Sequence, residues 1–335
     1  MTDYLAPEQD VVLSSRVRLA RNYADIPFFP KMDDERAGLT IERARAAMER
    51  KPDDYEFLRM AELSEDARNR LVERHLISYD LLKFSHWSAA LISNGETVSI
   101  MVNEEDHLRI QGLLPGLQLE RAAELAFKAD DLLCEQGRFA YDAQWGYLTS
   151  CPTNAGTGMR ASTMLHLPAL SATGQIGSVI QAVAKLSMTV RGIYGEGSDA
   201  VGCLYQVSNQ ATLGRTEDDI IRALIAATLQ LAGHERQVRE AMSQQDAVAV
   251  ADKLMRSVGI LKTARMMSAT EFMPRMSDLR VAASIGLVDY PINAVDALVW
   301  DMQNGSLAVR AGKTLSERAR DALRADILRD ALKDI

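Results

Sequence analysis

Within Cys151-Pro-Thr-Asn-Ala-Gly-Thr-Gly-Met-Arg-Ala-Ser162 stand a thiol, two closely spaced glycines and an arginine, three residue types with three different chemistries. A thiolate attacks electrophiles, and one flanked by arginines is a candidate nucleophile. Gly156-Thr-Gly158-Met-Arg160-Ala161 matches the G-x-G-x-x-A turn that lets a backbone approach a pyrophosphate. Arg160 offers planar, permanently charged donors to an anion. The dinucleotide reading requires a following helix and an acid about twenty residues further on. Neither is present: STMLHLPAL, despite Pro168, reads as a strand, and no Asp or Glu occurs between Asp142 and Glu196. A second nucleotide pattern, Gly312-Lys313-Thr314, lacks the P-loop glycine, because position 307 is leucine.

That acid-free interval carries Arg160, Lys185 and Arg191 with no carboxylate to neutralise them, so an anion could be accommodated there. In VVLSSRVRLAR, Arg16 and Arg18 are two apart, and on a strand both leave the same face. Their guanidinium groups could converge on one ligand; equally they could form a solvated basic face that Arg21 continues. Acids gather in VNEEDHLRI, where Glu104, Glu105 and Asp106 follow an apolar run and Arg109 stands four residues after Glu105. Three successive acids cannot all be buried without partners, so at least one faces solvent or a cation. Glu105 and His107 would share a face if the segment is extended. Glu196, between Gly195 and Gly197, reads as a carboxylate on a flexible loop or as an ordinary surface turn.

Two textures of sequence must position these groups. From about residue 10 to 212, short apolar segments that read as strands (SAALISN, TVSIMVN, AQWGYLTS, GCLYQVSN) alternate with helical ones (SEDARNRLVERHL, QLERAAELAFKADDLLCEQG, QIGSVIQAVAKLSM). After Thr216 the pattern is almost wholly helical, opening with a threonine cap and an acidic first turn. The expectation is an α+β domain over residues 1–214 and a helical domain over 215–335. A chain of 335 residues can bury two cores, and 47% hydrophobic with 25% charged residues is ordinary globular composition. A net charge of -8 argues against a nucleic-acid coat and requires any anion site to be locally concentrated. No stretch reaches the roughly 18 apolar residues of a membrane span, and no basic, then apolar, leader opens the chain. A cytoplasmic protein without membrane or nucleic-acid partners is expected. The cysteines, Cys134, Cys151 and Cys203, lack C-x-x-C spacing, which speaks against a disulfide framework or a structural metal.

SSRVRLAR, NEEDHLRI, CPTNAGTGMRAS and VRGIYGEGS occur in the order and approximate spacing of the phosphagen (guanidino) kinases, the family of creatine and arginine kinases, and together they resemble that family closely. The resemblance implies an antiparallel sheet flanked by helices, similar to the glutamine synthetase catalytic fold, and ATP-dependent phosphorylation of a guanidinium nitrogen. Creatine and arginine kinases carry a helical domain before SSR-x-R. Here that motif begins at Ser14, and the helical region is expected after the catalytic one, an arrangement similar to the bacterial protein arginine kinases of the McsB type. HERQVRE, GILKTARMMS, SDLRVAASIGL and RDALRA are similar to those proteins too.

Roles follow from this resemblance. Glu105 is implied as general base and guanidinium clamp, Glu196 as the second clamp, and Glu104 as a weaker alternative to Glu105. Arg16, Arg18, Arg109, Arg160 and Arg191 match the arginines that hold ATP phosphates, with Mg²⁺ bridging the phosphate oxygens and no dedicated protein cage for the ion. Cys151 is implied to support guanidinium binding rather than to attack, and no histidine-based dyad is evident to activate it. His107 is implied as a nucleotide contact; His75, His86, His166 and His234 read as structural. In the last helix Arg320, Asp321 and Arg324 match an RD-x-x-RA signature implied to form an allosteric phosphoarginine pocket, with the arginines on phosphate and Asp321 on guanidinium. The implied partners are proteins with accessible arginines, a zinc-binding activator, a Clp-type unfoldase or protease acting on marked proteins in the stress response, and further copies of the chain in a homo-oligomer. A kinase for free arginine or another small guanidino compound, and a non-catalytic phosphoarginine adaptor, are the competing readings; the intact Glu105, Glu196 and five arginines weigh against the adaptor.

Overall fold

A computed structural model describes residues 5–29, 31–49, 54–192 and 200–335. In chain order its elements are β1 (Val12–Arg21), α1 (Asp34–Met48), β2 (Tyr55–Arg59), α2 (Glu65–Glu73), α3 (Tyr79–Lys83), β3 (Ala89–Ser93), β4 (Val98–Val102), β5 (Leu108–Pro115) and α4 (Leu119–Cys134). There follow β6 (Tyr141–Asp142), β7 (Gly146–Tyr147), β8 (Met159–His166), α5 (Pro168–Ala172), α6 (Ile176–Ala184), β9 (Met188–Gly192) and β10 (Leu204–Asn209). The remainder is helical: α7 (Glu217–Gln245), α8 (Ala247–Thr263), α9 (Ala269–Ser284), α10 (Ile292–Asp301), α11 (Asn304–Ala311) and α12 (Glu317–Ala331).

Eight strands form one antiparallel sheet in the order β2-β3-β4-β5-β1-β8-β10-β9, with β1 at its centre. Alternation along the strands divides its faces. Val17, Leu19, Ile110, Ala161, Leu165 and Val207 point to one side, where α1, α4 and α7 cover them in the largest apolar core. Each fully buried valine, leucine or isoleucine among them stabilises the fold by about 1.5–3 kcal/mol. On the opposite face the apolar residues sit toward the two ends. Ala90, Ile92 and Met101 pack under α2 and α3, while Met164 and Leu204 pack under the C-terminal helices. Between these two patches the strands of that face present charged and polar side chains.

Local signals explain the helix boundaries. Ser64 caps α2 by accepting from Ala67 N, and Thr216 caps α7 by accepting from Asp219 N, ahead of the acidic turn Glu217–Asp219. Two sequence expectations shift. Pro168 opens α5 instead of continuing β8, since proline suits the first helical turn, where its missing N–H has no partner to lose. In AQWGYLTS only Gly146 and Tyr147 are strand, paired with β6 in a small separate ribbon. The change of pattern near 214 is not matched by a break in packing. Ile220, Leu224, Ala227 and Leu231 of α7 belong to the sheet's own core, and the apolar cluster of the C-terminal region begins only after the break at Asp246.

Candidate active site

Registration of the strands brings the arginines together. Arg18 lies directly opposite Arg160 on β8 and Gln111 on β5, Arg16 opposite Ser162, Arg109 opposite Ala20, and Gln206 of β10 opposite Arg191 of β9. Because facing residues of an antiparallel pair project to the same side, Arg16, Arg18, Arg109, Arg160 and Arg191 share one face, the one not covered by α1, α4 and α7. Arg21, of opposite parity, turns into the other side and pairs with Asp130 at 3.1 Å, so it does not continue the basic face.

The cluster is short of anions. Arg16 Nη2 donates to Gln206 Oε1 (2.7 Å) and Arg160 Nη2 to Ser208 Oγ (3.1 Å), both neutral partners. The Nε groups of Arg18 and Arg160 are buried with no hydrogen-bond partner among the described residues. Burial, followed by repulsion from Arg109 and Arg160, brings the Arg16 guanidinium down to about 10. Burial and the neighbouring arginines lower Arg18 far more, and burial with Arg191 and Arg109 lowers Arg160. Protonated arginines held this close and left unsatisfied are a preformed receptor for a polyanion.

At one edge stand the acids. The turn Asn103–His107 is closed by Asn103 N to His107 O (2.9 Å) and Glu104 N to Asp106 O (3.2 Å). Glu104 is buried; its carboxylate accepts from Arg109, from Ser78 Oγ and from Glu105 N (3.1 Å). Asp106 accepts from Asn22 Nδ2 (2.6 Å) and Ser150 N (2.7 Å), tying the turn to the segment that enters Cys151. Glu105 is left as the open carboxylate, 43% exposed and 3.8 Å from Arg109 Nη2. Partial burial, then the neighbouring Asp106, pushes its carboxyl above the ordinary glutamate range against the opposing pull of Arg109.

Cys151 and Glu105 line the same cleft, of about 520 Å³, with Arg18, Arg109, Arg160 and Asn154. The Cys151 thiol lies 3.0 Å from Thr153 Oγ1. The glycines beyond it shape the chain: Gly158 has φ +64°, and a Cβ there would stand 2.5 Å from Arg21 Nη1 and 2.7 Å from Ala20 O. They let the turn fold against β1 and feed Arg160 into β8, a strand, which removes the dinucleotide reading. Gly312, the other decoy, is the left-handed cap of α11.

A second cleft of about 650 Å³ shares Arg18 with the first and is also lined by Arg16, Glu73, His75, Tyr79 and Gln111. His75 was expected to be merely structural. A single histidine at the end of a helix has no periodic signal, and its place beside Arg16 and Arg18 depends on the packing of α2. Burial and those two arginines push it down to about 3, so it is neutral here. Among the described residues no group of three His, Cys, Asp or Glu side chains could hold a metal ion.

Two of the expected site residues are engaged within the scaffold, and one falls outside the described residues. His107 is buried, its Nδ1 accepting from Tyr23 N (3.0 Å) and its Nε2 lying 3.0 Å from Pro27 O, so both ring nitrogens serve the scaffold. Arg324 is fully buried: Nε donates to Met302 O (2.9 Å), Nη1 to Met267 O (2.6 Å) and Asp321 Oδ1 (2.9 Å), and Nη2 to Asn304 Oδ1 (2.9 Å). Of the α12 pair, Arg324 therefore knits the core, while Arg320 is partly exposed and donates to Leu315 O (3.3 Å). Glu196 lies outside the described residues.

Residues 39–238 match the family model described as ATP:guanido phosphotransferase, C-terminal catalytic domain, and residues 247–335 the model described as Protein-arginine kinase McsB C-terminal domain. The chain is 45% identical over 326 residues to a protein-arginine kinase of Caldanaerobacter subterraneus subsp. tengcongensis, covering 95% of this chain and 96% of that one. It is 44% identical to one of Desulforamulus reducens, covering 98% and 94%. Among solved structures, a lombricine kinase aligns at a TM-score of 0.61 with 24% identity, covering 70% of this chain and 68% of that one. The duplicated taurocyamine kinase of Schistosoma mansoni, with transition-state analogue components, aligns at 0.63 and 24%, covering 71% and 35%. At that identity these two structures speak to the fold alone.

Proposed function

Because the chain belongs to the ATP:guanido phosphotransferase family and ends in the C-terminal domain of the McsB protein-arginine kinases, we propose that it transfers the γ-phosphoryl group of ATP to a guanidinium nitrogen of arginine residues in proteins. The observation that carries this reading is the row of five arginines on one sheet face, with buried unpartnered Nε groups, running up to the open carboxylate of Glu105. The triphosphate lies across the arginines and the nucleoside toward the cleft of His75 and Tyr79. Mg²⁺, when bound with the nucleotide, neutralises phosphate charge. Glu105 orients the incoming guanidinium and takes a proton from the attacking nitrogen as the N–P bond forms and the bond to the ADP oxygen breaks. Glu196, by its position in the family motif, is the second clamp, and Cys151 supports the guanidinium from the cleft wall. The loose transition state spreads charge over the phosphoryl oxygens, which the fixed arginines stabilise without reorganising.

The expected surroundings belong to the same proposal: a cytoplasmic homo-oligomer, a zinc-binding activator, hand-over of marked proteins to a Clp-type protease in protein quality control, and a regulatory phosphoarginine contact centred on Arg320 and Asp321. The test is incubation with Mg-ATP and either an unfolded arginine-rich protein or free arginine. Acid-labile phosphate appears on the protein, and Glu105→Gln lowers the rate by about 10²–10⁴-fold. Since a base works only when deprotonated, the rising limb of the pH profile lies above the ordinary glutamate range and is lost in Glu105→Gln. Label on free arginine alone, or full activity in Glu105→Gln, would overturn the reading.

A further inference from the structure

Three consecutive residues at the cleft assigned to the nucleotide, of which Glu73 and His75 line it, are held by the C-terminal region. Glu73 ends α2, and its two carboxylate oxygens accept from Gly305 N (2.8 Å) and Ser306 N (3.0 Å) in the first turn of α11. Arg74 donates to Glu96 (2.8 Å) within the sheet domain and to Asp301 (2.8 Å) at the end of α10. The His75 ring meets the Trp300 ring edge-on, 4.9 Å between centroids. The approach is close: a Cβ on Gly305 would lie 2.6 Å from Arg70 N. Any other residue there would force α11 off α2.

The wall leads directly to the reacting groups. His75 O accepts from Gln111 Nε2 (2.8 Å), and Gln111 stands opposite Arg18 in the sheet. Three residues further on, Ser78 Oγ bonds Glu104, which pairs with Arg109 and accepts from the backbone of Glu105. From behind, the junction of α10 and α11, through Met302 and Asn304, is fastened to α12 by Arg324. We infer that residues 300–306 complete the ATP cleft from outside and that Glu73 is a positioning residue, so that the C-terminal region sets nucleotide affinity through this contact. The inference rests on the proposed identity of the cleft.

Calorimetric titration of the full chain with Mg-ATP, beside steady-state kinetics, tests it. Gly305→Ala and Trp300→Ala alter the contact without lining the cleft. Each weakens ATP binding and raises KM for ATP about tenfold, in the range typical of couplings between sites, while kcat stays within about twofold. Glu73→Gln, which keeps an oxygen for the α11 amides, restores most of the affinity lost in Glu73→Ala. Unchanged ATP affinity in Gly305→Ala and Trp300→Ala, whatever their melting temperatures, overturns the inference, as does a wild-type chain that binds no ATP. Weakened binding in variants of a chain that phosphorylates no arginine would leave the coupling standing and remove the phosphotransfer reading.

Discussion

Arg18 concentrates the conflict between stability and function in this protein. Its guanidinium is desolvated, stands among Arg16, Arg109 and Arg160, and keeps a buried Nε without a partner. In the absence of nucleotide it therefore opposes folding, because an unpaired buried cation recovers too little of its hydration. Arg18→Met keeps the length and apolar stem of the side chain. It is expected to melt about 2 °C higher than wild type without nucleotide, the shift that roughly 1 kcal/mol makes in a large domain, and to lose the stabilisation that Mg-ATP gives the wild type. Thermal scans with and without Mg-ATP decide it; a lower melting temperature for the nucleotide-free variant would mean that Arg18 has compensation not visible in its contacts. The pairing of Arg16 with Arg18 was legible in the sequence, since a two-residue period on a strand fixes a shared face. His107 was not: the resemblance points to a nucleotide contact, but its role depends on Tyr23 N and Pro27 O, which only the fold brings to its ring.

The same contrast separates two residues of one helix. RDALRADILRDAL is an amphipathic pattern with charge pairs, and nothing in its spacing distinguishes Arg320 from Arg324. In the structure Arg324 is buried and spends its donors on carbonyls of Met267 and Met302 and on Asn304, partners that a helical pattern cannot name because they come from other elements. Arg320 remains partly exposed beside the Leu315 carbonyl. Arg324→Ala strips a buried hub and should destabilise the C-terminal region by about 3–5 kcal/mol. Arg320→Ala should stay within about 0.5 kcal/mol of wild type and act only on ligand binding, weakening a phosphoarginine peptide in calorimetry. Equal melting temperatures for the two variants would contradict the hub, and undiminished peptide binding by Arg320→Ala would remove the proposed regulatory contact.

For the whole molecule, the two regions are joined by more than the contact at Glu73. Arg280 of α9 is buried and donates to Asp296 of α10 (2.7 Å) and to the carbonyls of Asp10 (2.9 Å) and Gln9 (2.5 Å), which lead into the central strand β1. On the sheet side α7 is tied to the same segment: Arg236 bonds the carboxylates of Asp10 (2.5 Å) and Glu8 (2.7 Å), and Glu235 bridges Arg239 to the first amides of α5. Composition and periodicity had divided the chain near 214, where strands give way to helices. The packing does not divide there, because α7, helical in pattern, buries its apolar stripe against the sheet. A boundary crossed by the buried hydrogen bonds of Arg280 to Gln9 O and Asp10 O, and flanked by continuous apolar packing through Met164 and Leu204, should not melt in two steps. The wild-type chain is expected to give a single calorimetric transition whose measured enthalpy equals its van't Hoff enthalpy. Arg280→Ala leaves Asp296 and two backbone carbonyls without their donor and should split that transition, the C-terminal helices melting first. Two transitions in the wild type, or one in Arg280→Ala, would place the coupling between the regions elsewhere, leaving the α2–α11 contact as the main route from one to the other.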